Sequence, residues 1–182
     1  MTAPSLHTVV LSLGANIGDR WHYLIQALMQ IRDWSAILRC SPVYETEPVG
    51  ALIQNNFLNL AVVVETTASP SDLLRKISDI ELRLGRERFV KWGPRTIDID
   101  IIFYDQDVIR SPELQIPHPA YANRRFVLMP LCDIIPDKVC PVLHKTMSEL
   151  LQQCKDTSGI WKTNLSPPDE IFALQRSTRN TK

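Results

Sequence analysis

Apolar residues follow two rhythms along this chain, and the switches between them mark out its elements. Residues 8–14 (Thr-Val-Val-Leu-Ser-Leu-Gly) are β-branched and apolar and end in glycine, which predicts a buried first strand. Trp21, Leu24, Ile25, Leu28 and Ile31 then recur at helical spacing, behind an Asp19 suited to cap the helix. Residues 37–44 and 57–65 return to strand character, with turn residues between them. Ser69-Pro70 places a capping serine and a first-turn proline before a second helix. Its stripe is Leu73, Ile77, Ile80 and Leu84, and Gly85 closes it. Residues 96–104 predict another strand, with Asp105-Gln106-Asp107 turning into a short hairpin partner within residues 108–116. Residues 125–134 read as a helix interrupted by Pro130. Thr146-Met147-Ser148-Glu149 has the form of a capping box before Leu150 and Leu151.

Up to residue 104 the order is β-α-β-β-α-β. That order predicts an α+β fold with a ferredoxin-like βαββαβ core, a mainly antiparallel sheet with helices packed on one of its faces. Residues 1–155 are expected to form a single domain. Residues 156–182 carry Ser166-Pro167-Pro168 and a charged end. They are expected to be a C-terminal tail, partly docked through Trp161 and Phe172 or disordered.

Composition narrows the partners. The 182 residues are 45% hydrophobic and 22% charged, with 20 Lys plus Arg against 20 Asp plus Glu. Such a balance gives no global field toward nucleic acid or a membrane surface, so neither is expected as a partner. No apolar run approaches a membrane span, and the N-terminus lacks the pattern of a signal peptide, which points to the cytoplasm. Cys40, Cys132, Cys140 and Cys154 are scattered without zinc or redox spacing and are expected to be reduced thiols. Neither a P-loop nor a dinucleotide fingerprint is present, and Gly14 and Gly18 are read as parts of a tight strand-to-helix turn.

The segment Ile97-Asp98-Ile99-Asp100-Ile101 holds the clearest chemistry. Strand alternation puts the three isoleucines on one face and both aspartates on the other. Two adjacent carboxylates repel each other, and a divalent cation relieves that repulsion, with magnesium suited to hard oxygen donors. The same pattern also suits an ordinary solvated strand face. The preceding loop shifts the balance: Arg83, Arg86, Arg88, Lys91 and Arg95 stand against one acid, Glu87. Cations beside a metal-ready carboxylate pair are what a triphosphate–magnesium complex requires. His118, set between Pro117 and Pro119, is the one histidine expected in a rigid surface loop.

The run Lys91-Trp92-Gly93-Pro94-Arg95-Thr96-Ile97-Asp98-Ile99-Asp100 closely resembles the signature of the 6-hydroxymethyl-7,8-dihydropterin pyrophosphokinase family. Further stretches fit that family in the same order: Leu11 to Asp19, Tyr44 to Gly50, Phe57-Leu58-Asn59, Ile80-Glu81-Leu82, Pro117-His118 and Arg124-Arg125-Phe126. The likeness spans roughly residues 8 to 150. It implies a cytoplasmic, monomeric transferase of folate biosynthesis that moves diphosphate from ATP to a reduced pterin with two magnesium ions, leaving AMP. On that likeness Asp98 and Asp100 hold the metal, and Arg86 and Arg95 are catalytic and bind the triphosphate. Arg88, Lys91, His118 and Arg124 complete the ATP site. Phe57 and Phe126 sandwich the pterin, Asn59 and Thr46 bond its polar edge with backbone near Val49, and Trp92 covers the site. Glu81 supports it from the second helix. The likeness makes residues 1–155 the catalytic domain and gives the tail no role.

Two other classes fit parts of the pattern. A ferredoxin-like regulatory module would bind metal or nucleotide without turnover, since fold alone does not decide function. A transferase using nucleotide sugars would also carry paired aspartates, but Phe57 and Phe126 favour a flat heterocycle over a sugar.

Overall fold

The computed structural model describes residues 5–49, 53–85 and 95–176, with side chains up to residue 172. Strand β1 (His7–Ala15) is the spine of the sheet, flanked antiparallel by β4 (Phe57–Thr66) and β5 (Asp98–Tyr104). On the far side of β4 lie β2 (Ala36–Cys40) and β3 (Tyr44–Thr46), and β8 (Ile160–Lys162) pairs outside β3. The order β5-β1-β4-β2/β3 is the ferredoxin-like arrangement expected from the sequence. A separate hairpin joins β6 (Ile109–Arg110) to β7 (Gln115–Ile116).

Residues 37–44 form two strands rather than one. Between Cys40, opposite Val62, and Tyr44, opposite Asn59, the chain spends four steps against three on β4. The surplus residue is absorbed at Ser41-Pro42, where proline has no N–H for the ladder. Ser41 holds the ladder there from both sides, its hydroxyl taking the Ala61 N–H and its own N–H donating to Ala61 O, each at 2.9 Å. The strand expected from residue 96 starts at Asp98, after the chain has turned at Arg95 and Thr96.

Helices cover both faces of the sheet, not one. Helices α1 (Arg20–Arg32) and α2 (Pro70–Arg83) enclose Leu11, Leu13, Leu24, Leu28, Leu60 and Ile77. Helices α3 (Arg125–Ile134) and α4 (Met147–Gln153) enclose Val10, Phe103, Leu128, Leu131 and Met147 on the other face. The reason lies in β1 and β4, which are buried at successive positions and so need apolar cover on each side. Pro130 does not break α3; it is buried within it, and its missing N–H removes only the bond that would reach the Phe126 carbonyl. The capping box at Thr146 and Glu149 forms as expected and starts α4.

Tyr44 links the edge of the sheet to α3, its hydroxyl donating to the Asp133 carboxylate at 2.7 Å. Burial, with this carboxylate alongside, raises the phenol pKa well above its ordinary value, so it stays a donor at all ordinary pH. Tyr44→Phe is expected to lower the unfolding free energy by about 1–2 kcal/mol, read as a reduced urea midpoint at unchanged slope.

Beyond residue 155 the chain adds β8 and a 3₁₀ helix (Asp169–Arg176). Ile171 is buried in the α1/α2 core and Phe172 packs against it, while Trp161, expected to dock, stays about half exposed at 52%. Trp161 lies on β8, the last strand at that edge among the described residues, with its ring over Gly159.

Candidate active site

The α3/α4 layer covers only part of its face of the sheet. At the covered end Val10, Val63 and Phe103 lie under the helices. At the other end the same face carries a row across four strands, in which Tyr44 pairs with Asn59, Asn59 with Gly14, and Gly14 with Asp98. Two residues along, Ser12 stands between Asp100 and Ala61, and Thr46 pairs with Phe57. Strand alternation therefore puts Asp98, Asp100, Asn59, Phe57 and Thr46 on one surface.

Gly14 keeps the middle of this surface bare. A Cβ there would stand 2.5 Å from Asn59 Oδ1 and 3.7 Å from Phe57 Cδ1. The glycine belongs to β1 and serves a close approach, whereas Gly18, at φ 61°, is the one that makes the turn into α1. Asn59 is 3% exposed and its Nδ2 donates to Thr46 Oγ1 at 2.7 Å, which fixes both side chains. The result is a shelf with an amide and a hydroxyl at one end and carboxylates at the other.

Asp98 is ion-paired with Arg95, three residues earlier. Asp100 Oδ2 lies 3.9 Å from His118 Nε2. Burial, and then the Asp98 carboxylate, raise the Asp100 pKa, while His118, Arg124 and Arg95 act against that rise. His118 is lowered, chiefly by burial and also by Arg124, despite both aspartates. Its backbone N–H donates to Ile102 O at 3.1 Å and its Nδ1 accepts from Ala120 N at 3.3 Å, so the Nε2 proton is the one turned toward Asp100.

The donor set suits magnesium. Two partly exposed carboxylates supply hard oxygens, and a cation there would relieve the repulsion that raises Asp100. Among the described residues no group of three His, Cys, Asp or Glu forms a closed metal cage. The remaining ligands would be water and substrate oxygens, which is how magnesium is held on phosphates.

The backbone between the two aspartates is held from α2. Glu81, 4% exposed, accepts the Ile99 N–H at 2.9 Å. Glu81→Ala is expected to cost about 1–3 kcal/mol by leaving that buried N–H without its acceptor, measured by denaturant unfolding.

Asn16 has no counterpart in the sequence reading. It is 1% exposed and exchanges two hydrogen bonds with Arg95, its N–H to Arg95 O at 3.0 Å and Arg95 N to its Oδ1 at 2.7 Å. Its Nδ2 donates to Gln54 Oε1 at 3.0 Å and to Asn55 O at 3.3 Å. One side chain thus ties the approach to β5 to the approach to β4. Arg20 adds a second tie through Glu45 Oε1 and Asn56 O, each at 2.8 Å. In the sequence Asn16 is marked only as a polar residue after a buried strand, inside the Leu11 to Asp19 stretch, with no role of its own.

Arg95, Asp98, Asp100 and His118 are therefore brought together, with Arg124 near enough for its charge to act on Asp100. Arg124 also lies 5.8 Å over the Phe126 ring, at the start of α3. Thr46, Phe57 and Asn59 form the shelf, and Val49 follows β3 in an exposed position. Arg86, Arg88, Lys91 and Trp92 lie outside the described residues.

A ferredoxin-like sheet carrying paired carboxylates, cations and a bare shelf is an arrangement suited to a phosphate–magnesium complex beside a small acceptor. Residues 10–136 match the family described as 7,8-dihydro-6-hydroxymethylpterin-pyrophosphokinase (HPPK). The 2-amino-4-hydroxy-6-hydroxymethyldihydropteridine pyrophosphokinase of Aquifex aeolicus is 41% identical over 142 residues, covering 78% of this chain and 89% of that protein. The protein of the same name from Bacillus subtilis is 44% identical over 126 residues, covering 68% of this chain and 75% of the relative. The chain spans less than half of some longer relatives, such as the Lactococcus lactis bifunctional protein FolKE, 44% identical over 43% of its length. The solved Plasmodium falciparum HPPK-DHPS A437G aligns with a TM-score of 0.69 at 20% identity, over 83% of this chain and 46% of that one, a likeness of fold alone. This chain belongs to the HPPK family, the pyrophosphokinases of folate biosynthesis.

Proposed function

We propose that this chain transfers the terminal diphosphate of ATP to the hydroxymethyl oxygen of 6-hydroxymethyl-7,8-dihydropterin, giving AMP and the pterin diphosphate. The observation that carries the reading is the single row Asn59–Gly14–Asp98, in which an amide suited to a flat polar ring and a cation-ready carboxylate lie on one face with a single strand between them. Asn59 and Thr46 bind the ring's polar edge, and Phe57 and Phe126 supply apolar faces, with backbone near Val49 and Trp92 completing that side. Asp98 and Asp100 hold magnesium, two ions in this reading, which neutralise charge on the phosphate oxygens. Arg86 and Arg95 bind the travelling diphosphate, and Arg88, Lys91, His118 and Arg124 hold the rest of the nucleotide. The pterin hydroxyl oxygen bonds to the β-phosphorus while the bond from that phosphorus to the α–β bridging oxygen breaks. AMP leaves with that oxygen, and the hydroxyl proton passes to solvent.

Residues 1–155 act as the catalytic domain of a cytoplasmic monomer, with ATP and a reduced pterin as its partners and neither nucleic acid nor membrane. No helix among the described residues is long and apolar enough to cross a membrane. The test is phosphorus NMR of a mixture of protein, ATP, magnesium and the pterin. The expected products are AMP and a diphosphorylated pterin in equal amounts. ADP with a monophosphorylated pterin would overturn the assignment, because attack would then have fallen on the γ-phosphorus.

A further inference from the structure

The segment after α4 joins two elements that the catalytic residues depend on. Helix α3 begins without a cap of its own, since Arg124 at the capping position makes no side-chain cap bond. The acceptor comes instead from 31 residues downstream, where Asp156 Oδ2 takes the Arg125 N–H at 2.9 Å. Asp156 is itself oriented by the Ser158 N–H, which donates to its Oδ1 at 3.0 Å. Desolvation raises its carboxyl pKa, but the hydrogen bonds from Ser158 and Arg125 outweigh that, so the group lies below the usual range and is charged where a helix N-terminus favours an anion.

Three residues on, the same segment grips the sheet. The Gly159 N–H donates to Glu47 Oε2 at 2.8 Å, and Gly159 O accepts the Glu47 N–H at 3.0 Å. Ile160 then pairs with Thr46, Trp161 with Glu45 and Lys162 with Tyr44. One end of the segment thus fixes the start of α3, next to Phe126 and Arg124. The other end fixes β3 at Thr46. The four steps from Asp156 to Ile160 can reach at most about 14 Å, so the segment limits how far those two elements can separate.

We infer that residues 156–162 form a strap that sets the width of the acceptor pocket, with Asp156 as a positioning residue for the pterin. The inference rests on the proposed function, which puts Thr46 at the polar edge of that substrate and Phe126 against its face. Asp156 touches neither substrate; it acts through the Arg125 N–H. A pocket held at the right width spares the substrate the work of drawing its walls together, so loss of the strap weakens pterin binding more than nucleotide binding, in which Arg124 is one contact of several.

The full chain carrying Asp156→Ala, Asp156→Asn or Glu47→Ala separates the outcomes, with kcat and both KM values measured for ATP–magnesium and the hydroxymethyl pterin. Asp156→Ala is expected to raise the pterin KM about tenfold, with kcat and the ATP KM within twofold. Asparagine caps helices well, so Asp156→Asn is expected to recover most of the loss. Glu47→Ala, an exposed position outside the catalytic set, loosens the other end and is expected to raise the pterin KM about threefold. Should Asp156→Ala fail to fold, Glu47→Ala and the asparagine variant still decide the matter. An unchanged pterin KM in active variants overturns the strap alone, as does a loss confined to kcat or one that asparagine does not relieve. A wild-type chain that does not use the pterin overturns the proposed function and the strap together.

Discussion

Asp100→Asn is expected to lower kcat about a hundred- to a thousandfold while the protein becomes slightly harder to unfold in the absence of metal. Both effects follow from one geometry. Burial, and then the Asp98 carboxylate on the same face of the strand, disfavour the charged form of Asp100. Without a cation that arrangement is unfavourable, and asparagine of the same shape removes it. In the proposed reaction the same charge would hold the magnesium that offsets the charge on the phosphate oxygens, and a neutral asparagine would hold it more weakly. Asp98→Asn is expected to cost as much activity without the gain in stability, because it also breaks the ion pair with Arg95. Steady-state kinetics and apo-protein thermal melts, run on both variants, check this. Turnover within tenfold of wild type in either one would remove both residues from the metal site.

Gly14→Ala is expected to reduce kcat/KM for the pterin about a hundredfold, with the affinity for an ATP analogue nearly unchanged. The new methyl group would fall 2.5 Å from Asn59 Oδ1, closer than two such atoms can stand. Either the asparagine rotates and gives up its bond to Thr46, or β1 and β4 move apart at the site's central row. Both outcomes misplace the groups that read the ring's polar edge. Isothermal titration with the analogue and with the pterin, each alone, separates the two sides of the site. A variant that binds the pterin normally would show that the shelf is not where the ring lies.

Much of this was legible in the sequence because it depends on local periodicity. Strand alternation alone placed Asp98 and Asp100 on a common face, and helical spacing found the buried stripes of α1 and α2. What was not legible depends on contacts far apart along the chain. Gly14 looks like a turn glycine until β4 is set beside it, and only then does Asn59 explain it. Asn16 reads as a strand-end polar residue, because its partners are Arg95, Gln54 and Asn55. The second helical layer escaped for a similar reason. Continuous burial along β1 can be read as one covered face or two, and the helix over residues 125–134 reads as interrupted at a proline that its buried position tolerates. Asp156 lay in a polar, proline-broken stretch, where no local pattern marks a carboxylate that caps a distant helix.

Because α1 and α2 close one face while the proposed substrate site lies on the other, the two sides of the sheet should be under different selective constraints. Leu24, Leu28, Ile31 and Ile77 make the rear layer cohesive, and none of them lies on the reacting surface. Variation there changes how many molecules are folded, not how fast each one works, so it can drift or be redesigned for heat tolerance in small steps. The front layer has no such freedom. Val10, Leu128 and Leu131 support the same helix whose first turn carries Arg124, Arg125 and Phe126, so repacking them carries over into chemistry. Adaptation to a hotter or colder habitat should therefore be written mainly on the rear, and escape from a pterin-like inhibitor mainly on the front.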